Sequence, residues 1–408
     1  MVVRLSRFHR RQAMTAVQDT IGIQGYVRKG FEAVRDAFLE NFLLRKEVGA
    51  ACCVYRQGEK VVDLWGGIRN KATGEPWQEN TMVIVRSATK GLAAMTLALA
   101  HSRGWLDYDE RVCTYWPEFG QRGKERITVR QLLAHQAGLF AFDELVDRDV
   151  IGDLDRLADV MARQSPAWEP GMRQAYHAVS IGFYEGELLR RVDPQHRSLG
   201  QFFQEEIATP LDLDFHIRVP EAIPNSRLAI VENASTIETL LGSPIRLTLA
   251  TLNRRSNTFR ALFTNPGVAI WRDRKHICAR NVEAPAVGGV GTARAMARAY
   301  GVFATGGREL KLRAETLEAL KGPAIPPKFG FYDEIMKGEI QFSLGYCKPG
   351  PSAPFGHPTS FGHPGAGGSF AFADPETGTG YAYVTNRMGA TLPFDARDVA
   401  LRTAIPDM

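Results

Sequence analysis

No stretch of the 408-residue chain approaches the roughly 18 consecutive apolar residues that a membrane-spanning helix needs, so no membrane span is expected. Cysteine is scarce. The five cysteines (Cys52, Cys53, Cys113, Cys278 and Cys347) are odd in number and contain no C-x-x-C, which argues against a disulfide framework or a zinc knuckle. They read as small core residues of a reducing compartment, the cytoplasm by default. H-E-x-x-H and the phosphate-binding G-x-x-x-x-G-K-[ST] are both missing, and the nine histidines form no ligand-like cluster. Neither a metal nor any other cofactor is therefore expected. G-x-S-x-G is missing too: Ala178-Val179-Ser180-Ile181-Gly182 comes nearest but lacks the first glycine. Basic residues interleaved with aromatics are not found, and a nucleic-acid partner has no support.

Charge is unevenly placed. Of the net charge of +5, four units come from Arg4, Arg7, Arg10 and Arg11, in a stretch without acids. No apolar run follows them, as a signal peptide would require. The head reads as a disordered tail, or as residues upstream of a true start at Met14.

Periodicity then organises the chain. Phe31, Val34, Phe38 and Phe42 keep helical spacing within Arg28–Glu47. Ala50–Arg56 and Val61–Trp65 flank Gln57-Gly58-Glu59 as a hairpin, and Met82–Val85 is a third short apolar run. Gly91–Ala100 carries no charge at all, the pattern of a helix buried on every side, and Gly104 marks its end. Ile127–His135 reads as another helix, closed by Gly138. Residues 140–285 show only scattered helical patterns broken by Pro and Gly. Towards the end, Ser369–Asp374 and Gly380–Thr385 form a second hairpin, with a closing helix over Phe394–Ile405. The expectation is an α/β fold: one antiparallel sheet built from both termini, flanked by helices, with a mostly helical domain inserted between.

Ser87-Ala88-Thr89-Lys90 carries the chemistry. A serine hydroxyl is a poor nucleophile until a base takes its proton. Residues three apart share a helical face, so Lys90 can reach Ser87 at the start of the buried helix. Burial and the positive helix N-terminus both disfavour an ammonium there. The alternative is a structural lysine whose stem snorkels past apolar neighbours. Against that, Lys90 is the sole charge between Ser87 and Ala100.

Two further segments follow: Trp168-Glu169-Pro170-Gly171 leading into Tyr176-His177-Ala178, and His363-Pro364-Gly365-Ala366-Gly367-Gly368 opening the last hairpin. With the S-x-x-K motif, in this order, the sequence resembles the penicillin-recognising serine hydrolases, which comprise class C β-lactamases and family VIII carboxylesterases. Val61–Gly67, His135–Leu139 and Gly288–Ala293 extend the resemblance over roughly residues 30–390. It implies a β-lactamase/penicillin-binding-protein-like fold. The expected organisation is a tail (1–25), a sheet domain (26–86 and 286–408) and a helical, substrate-lining domain (87–285), with the site at their interface. Tyr176 would join Ser87 and Lys90 and relay a proton to the leaving group. The Ala366 N–H would bind the oxyanion with that of Ser87, and Gly365, Gly367, His363 and His177 would line the substrate.

Two departures bear on the substrate. Ala178 replaces the asparagine that in β-lactamases meets the substrate amide, and His363 replaces a lysine that helps hold its carboxylate. The Tyr-His-Ala form resembles the esterases. A small-molecule ester, cleaved through an acyl-Ser87 intermediate, is thus the expected substrate. A β-lactamase or peptidase, an acyltransferase sharing the acyl-enzyme, and a non-catalytic binding protein of the same fold are the alternatives. Oligomeric state is not legible.

Overall fold

A computed structural model describes residues 21–235, 238, 242, 244–263, 277–389 and 394–408. The arginine-rich head and Met14 lie outside them. Eight strands build the main sheet: β1 (Gln24–Val27), β2 (Gly49–Arg56), β3 (Glu59–Asn70), β4 (Gln341–Ser343), β5 (Tyr346–Lys348), β6 (Phe361–Pro364), β7 (Phe370–Asp374) and β8 (Thr379–Thr385). Their order is β1-β3-β2-β8-β7-β6-β5-β4, every pairing is antiparallel, and a short strand, Glu75–Pro76, adds to β3. N-terminal and C-terminal strands meet where β2 pairs with β8. The first strand starts at Gln24, paired with Trp65, so the sheet begins slightly earlier than the expected edge of the tail.

Six helices matter to the argument: α1 (Glu32–Leu44), α2 (Thr89–Ser102), α3 (Val129–Leu133), α4 (Ser180–Val192), α5 (Ala293–Ala304) and α6 (Ala396–Thr403). Both faces of the central strands are covered, so β7 and β8 are buried along their whole length instead of alternating. On one face α1 and α6 pack together, and Tyr381 of β8 donates to Asp398 of α6 at 2.9 Å. On the other, α5 lies across β2, β7 and β8. Small residues set that approach. A Cβ on Gly380 would stand 2.2 Å from the Gly301 nitrogen and 2.3 Å from the Ala297 carbonyl oxygen.

The helical subdomain is inserted between two edges of a small sheet, in which Val290–Gly291 pairs with Val83–Ile84 and with Phe215–His216. At its centre is α2, buried at every residue except His101, as the charge-free run Gly91–Ala100 leads one to expect. It packs against α4 and the helix Leu199–Phe203. Helix α3 is shorter than Ile127–His135. Thr128 and Gln131 form a capping box that fixes its start, and His135 takes φ 59°, outside the helix. The stretch 140–285, irregular by sequence, contains the amphipathic helix Leu154–Arg163 as well as α4. Cys52, Cys53 and Cys347 are buried free thiols and Cys113 is partly exposed, whereas the Cys278 side chain lies outside the description.

Gly380→Ala is expected to push α5 off the sheet and to cost about 1–3 kcal/mol. A thermal melt with a lowered midpoint would bear this out.

Candidate active site

The nucleophile candidate precedes α2 and is not part of it. Ser87 occupies a short 3-10 turn, Arg86–Ala88, that runs into the helix at Thr89. Arg86 has φ 52°, a left-handed conformation that costs a non-glycine residue on the order of 1–3 kcal/mol. Neighbouring hydrogen bonds hold the turn. Thr89 Oγ1 donates to the Arg86 carbonyl at 2.5 Å and accepts the Gly289 N–H at 2.9 Å. Val85 N–H donates to the Gly289 carbonyl at 2.9 Å.

Lys90 Nζ lies 3.4 Å from Ser87 Oγ and donates to two main-chain carbonyls, Ala178 at 2.7 Å and Ala286 at 3.0 Å. The residue is 1% exposed. Burial pushes its amine down to about 7, only partly offset by the Glu185 carboxyl. The amine is therefore substantially unprotonated near neutral pH.

Tyr176 completes the group. Its hydroxyl hydrogen-bonds with Ser87, and burial raises the phenol far above its usual range, so it remains protonated. Its ring stacks on Phe342 with centroids 5.5 Å apart, meets His135 edge-on at 5.0 Å, and has Lys90 Nζ 4.8 Å from its centroid. The backbone N–H of Tyr176 donates to the buried Asp333 carboxylate, which also accepts from Ile335 at 2.9 Å and Met336 at 2.8 Å. Asp333 carries no motif and was not visible by sequence.

His177 does not line the substrate space. It is fully buried, its Nε2 accepts the Leu139 N–H at 3.0 Å, and its Nδ1 lies 2.9 Å from His135 Nδ1. An acceptor at Nε2 leaves the proton on Nδ1, so His177 donates to His135. His135 Nδ1 also faces the His177 backbone N–H at 3.2 Å, which places the His135 proton on Nε2. Burial holds both imidazoles neutral. The pair braces Tyr176 from beneath.

His363 sits on β6, 2% exposed, with Nδ1 2.8 Å from the Pro364 carbonyl oxygen and Nε2 without a partner. Burial and the nearby Lys90 lower it to about 3, so it is a neutral imidazole beside Tyr176, at 6.0 Å between ring centroids. The glycines beyond it lie tightly against the protein's own backbone and side chains. A Cβ on Gly365 would stand 2.2 Å from the Val85 carbonyl oxygen and 3.2 Å from the Ala88 nitrogen. The end of β6 therefore rests on the nucleophile turn itself, with half-buried Ala366 next in line. Among the described residues no hydrogen bond takes up the Ala366 N–H.

Behind the loop lies Arg397 of α6, 1% exposed, another residue without a sequence signal. Its guanidinium donates to the Gly367 and Arg387 carbonyls, both at 2.9 Å, and pairs with Asp395 at 2.8 Å and Glu47 at 3.0 Å. Tyr383 adds a hydrogen bond to Glu47. Among the described residues no group of three or more His, Cys, Asp or Glu side chains is placed to hold a metal ion.

Residues 36–404 match the sequence family described as Beta-lactamase. The esterase/beta-lactamase LipL of Mycobacterium tuberculosis is 34% identical over 365 residues, covering 88% of this chain and 81% of that protein. A solved family VIII carboxylesterase is 34% identical with a TM-score of 0.81, covering 94% of this chain and 98% of its own. A penicillin-binding protein homolog from Caulobacter crescentus is 33% identical with a TM-score of 0.80, at 94% and 98% coverage.

Gly365→Ala is expected to displace β6 from the Ser87 turn. Labelling of Ser87 by a phosphonate ester should then fall at least tenfold, with the far-UV circular dichroism spectrum unchanged.

Proposed function

The chain belongs to the Beta-lactamase family as a serine hydrolase of the carboxylesterase type, and from that membership we propose that it cleaves short- to medium-chain carboxylic esters through an acyl-Ser87 intermediate. One observation carries the assignment of roles: the three neighbours of Lys90 Nζ. A neutral amine has two N–H groups and one lone pair. With the N–H groups on the Ala178 and Ala286 carbonyls, the lone pair is directed at the Ser87 hydroxyl, as a general base requires.

In this reading Lys90 takes the Ser87 proton while Oγ bonds to the ester carbonyl carbon. The N–H groups of Ser87 and Ala366 receive the oxyanion. Tyr176 protonates the departing alkoxide and is reprotonated by the Lys90 ammonium. Water then adds to the acyl-enzyme with Lys90 again as base, and the acid leaves as Ser87 recovers its proton. Residues 140–285 supply acyl specificity.

Ester is favoured over β-lactam because the His363 imidazole is neutral and Ala178 has no side-chain amide to offer a substrate. Buried free thiols suit a cytoplasmic enzyme, and no helix among the described residues is long and apolar enough to cross a membrane.

Mass spectrometry should find a phosphonate adduct on Ser87 that Ser87→Ala lacks; an unlabelled wild type overturns the mechanism. Lys90→Met should lower kcat on p-nitrophenyl acetate by roughly 10²–10⁴. Since the free amine is the active form, kcat/KM should fall about tenfold per pH unit below about 7. Nitrocefin turnover should be lower than ester turnover by about two orders of magnitude; comparable rates would instead support a β-lactamase.

A further inference from the structure

Residues 244–263 carry four arginines and no acid, in a chain whose whole net charge is +5. They include two short helices, Ile245–Leu252 and Asn257–Phe263, which pack against each other. Ser256 fixes the corner between them: its hydroxyl donates to the Ala250 carbonyl and accepts the Phe259 N–H at 3.0 Å. The second helix is anchored inward. Thr258 and Ala261 are buried, and Thr258 Oγ1 donates to the Ile335 carbonyl at 2.9 Å. Ile335 belongs to the turn whose Asp333 carboxylate holds the Tyr176 N–H. A single turn thus joins this segment to the candidate active site.

The first helix is apolar on both sides. Leu247 is buried, whereas Ile245, Leu249 and Leu252, spaced four and three apart, share the opposite face and are 70%, 60% and 71% exposed. Single exposed leucines are ordinary, but a contiguous apolar stripe rimmed by charge marks an interaction surface. Arg246 lies within the helix, and Arg254 and Arg255 lie just past its end. All three are exposed, and none has an ion-pair partner among the described residues. The fourth arginine, Arg260, is committed to Asp143 at 2.7 Å.

We propose that this face docks on an anionic lipid surface, with Ile245, Leu249 and Leu252 entering the headgroup boundary and Arg246, Arg254 and Arg255 meeting lipid phosphates. The helix then lies in the plane of the interface and spans nothing. Charge selects this occupant. A second copy seated on the same face would set three uncompensated arginines against three more. The head of the chain, with Arg4, Arg7, Arg10 and Arg11, is basic as well, and so are residues 264–276, with Arg272, Arg274 and Lys275 against Asp273. A nucleic acid would answer the charge and leave the stripe in water. An anionic leaflet answers both. An ester carried in the lipid would then meet the enzyme where it is held; that consequence rests on the esterase reading, and the docking does not.

Co-sedimentation of the whole chain with vesicles tests this, using phosphatidylcholine alone or mixed with phosphatidylglycerol. Binding to the mixed vesicles should be stronger by roughly tenfold or more, and should weaken as salt rises. Substituting Ile245→Ser, Leu249→Ser and Leu252→Ser together should lower the partition coefficient by roughly tenfold or more. Arg254→Gln and Arg255→Gln should lower it by about fivefold each. Thermal melts should not move, since all five side chains are exposed. Should the serine variant not fold, the two arginine variants decide. Wild-type protein left in the supernatant overturns the proposal, and so does binding that survives these substitutions, which would place the lipid contact elsewhere. A wild-type dimer in sedimentation velocity that the serine variant splits gives the face to a second copy and also overturns it. Protein that sediments with the mixed vesicles through this face yet hydrolyses no p-nitrophenyl acetate supports the docking and removes only the esterase reading.

Discussion

A lysine amine held by two main-chain carbonyls inside an apolar helix bundle is the constraint on which the site depends. Lys90 projects from the first turn of α2, and its partners come from two distant segments, one entering α4 at Ala178 and one entering the small sheet at Ala286. A buried ammonium would be costly without a paired anion, and carbonyls alone compensate it incompletely. Neutralisation resolves the conflict. The same burial that makes α2 the centre of the helical subdomain makes Lys90 a base. Fold and chemistry are therefore coupled: any change that lets water reach Nζ restores the ammonium and removes the base.

Around this amine the protein assembles reacting groups from segments that sequence order keeps far apart. The Ser87 turn is fixed from one side by Thr89 and Gly289, and from the other by the end of β6 pressing through Gly365. Tyr176 is fixed through its backbone by Asp333 and through its ring by Phe342 and the neutral His135–His177 pair. Arg397 fixes the loop after β6 by its hold on the Gly367 carbonyl, and is itself clamped by Glu47 and Asp395. Each reacting group is held by a buried polar anchor that touches no substrate. Such anchoring limits side-chain motion at the point where a misplacement of about 1 Å lowers rate most.

Much of this was legible in the residues. The charge-free run after Lys90 indicated the buried helix, short apolar runs around turn residues indicated β2, β3, β7 and β8, and the order of motifs pointed to the family. What was not legible has a common cause. Asp333, Arg397 and Glu47 act through partners on distant segments, Arg397 and Glu47 lying 350 residues apart, and a single carboxylate or guanidinium carries no local pattern. His177 misled for the complementary reason. Adjacency to Tyr176 placed it near the site, but successive residues of an extended segment face opposite ways, and its ring turns into the core to meet His135. Gly365 was recognised as special, but its close packing against the nucleophile turn carries no local pattern.

The central claim is that Lys90 is a free amine near neutral pH, and it can be observed directly. Carbon-13 NMR titration of the lysine ε-carbons, with Lys90→Arg to assign the signal, separates it from Lys124 and Lys348, whose amines burial also depresses. The account predicts that the signal lost in Lys90→Arg titrates with a midpoint near 7. A midpoint at the ordinary lysine value of 10.5 would contradict it.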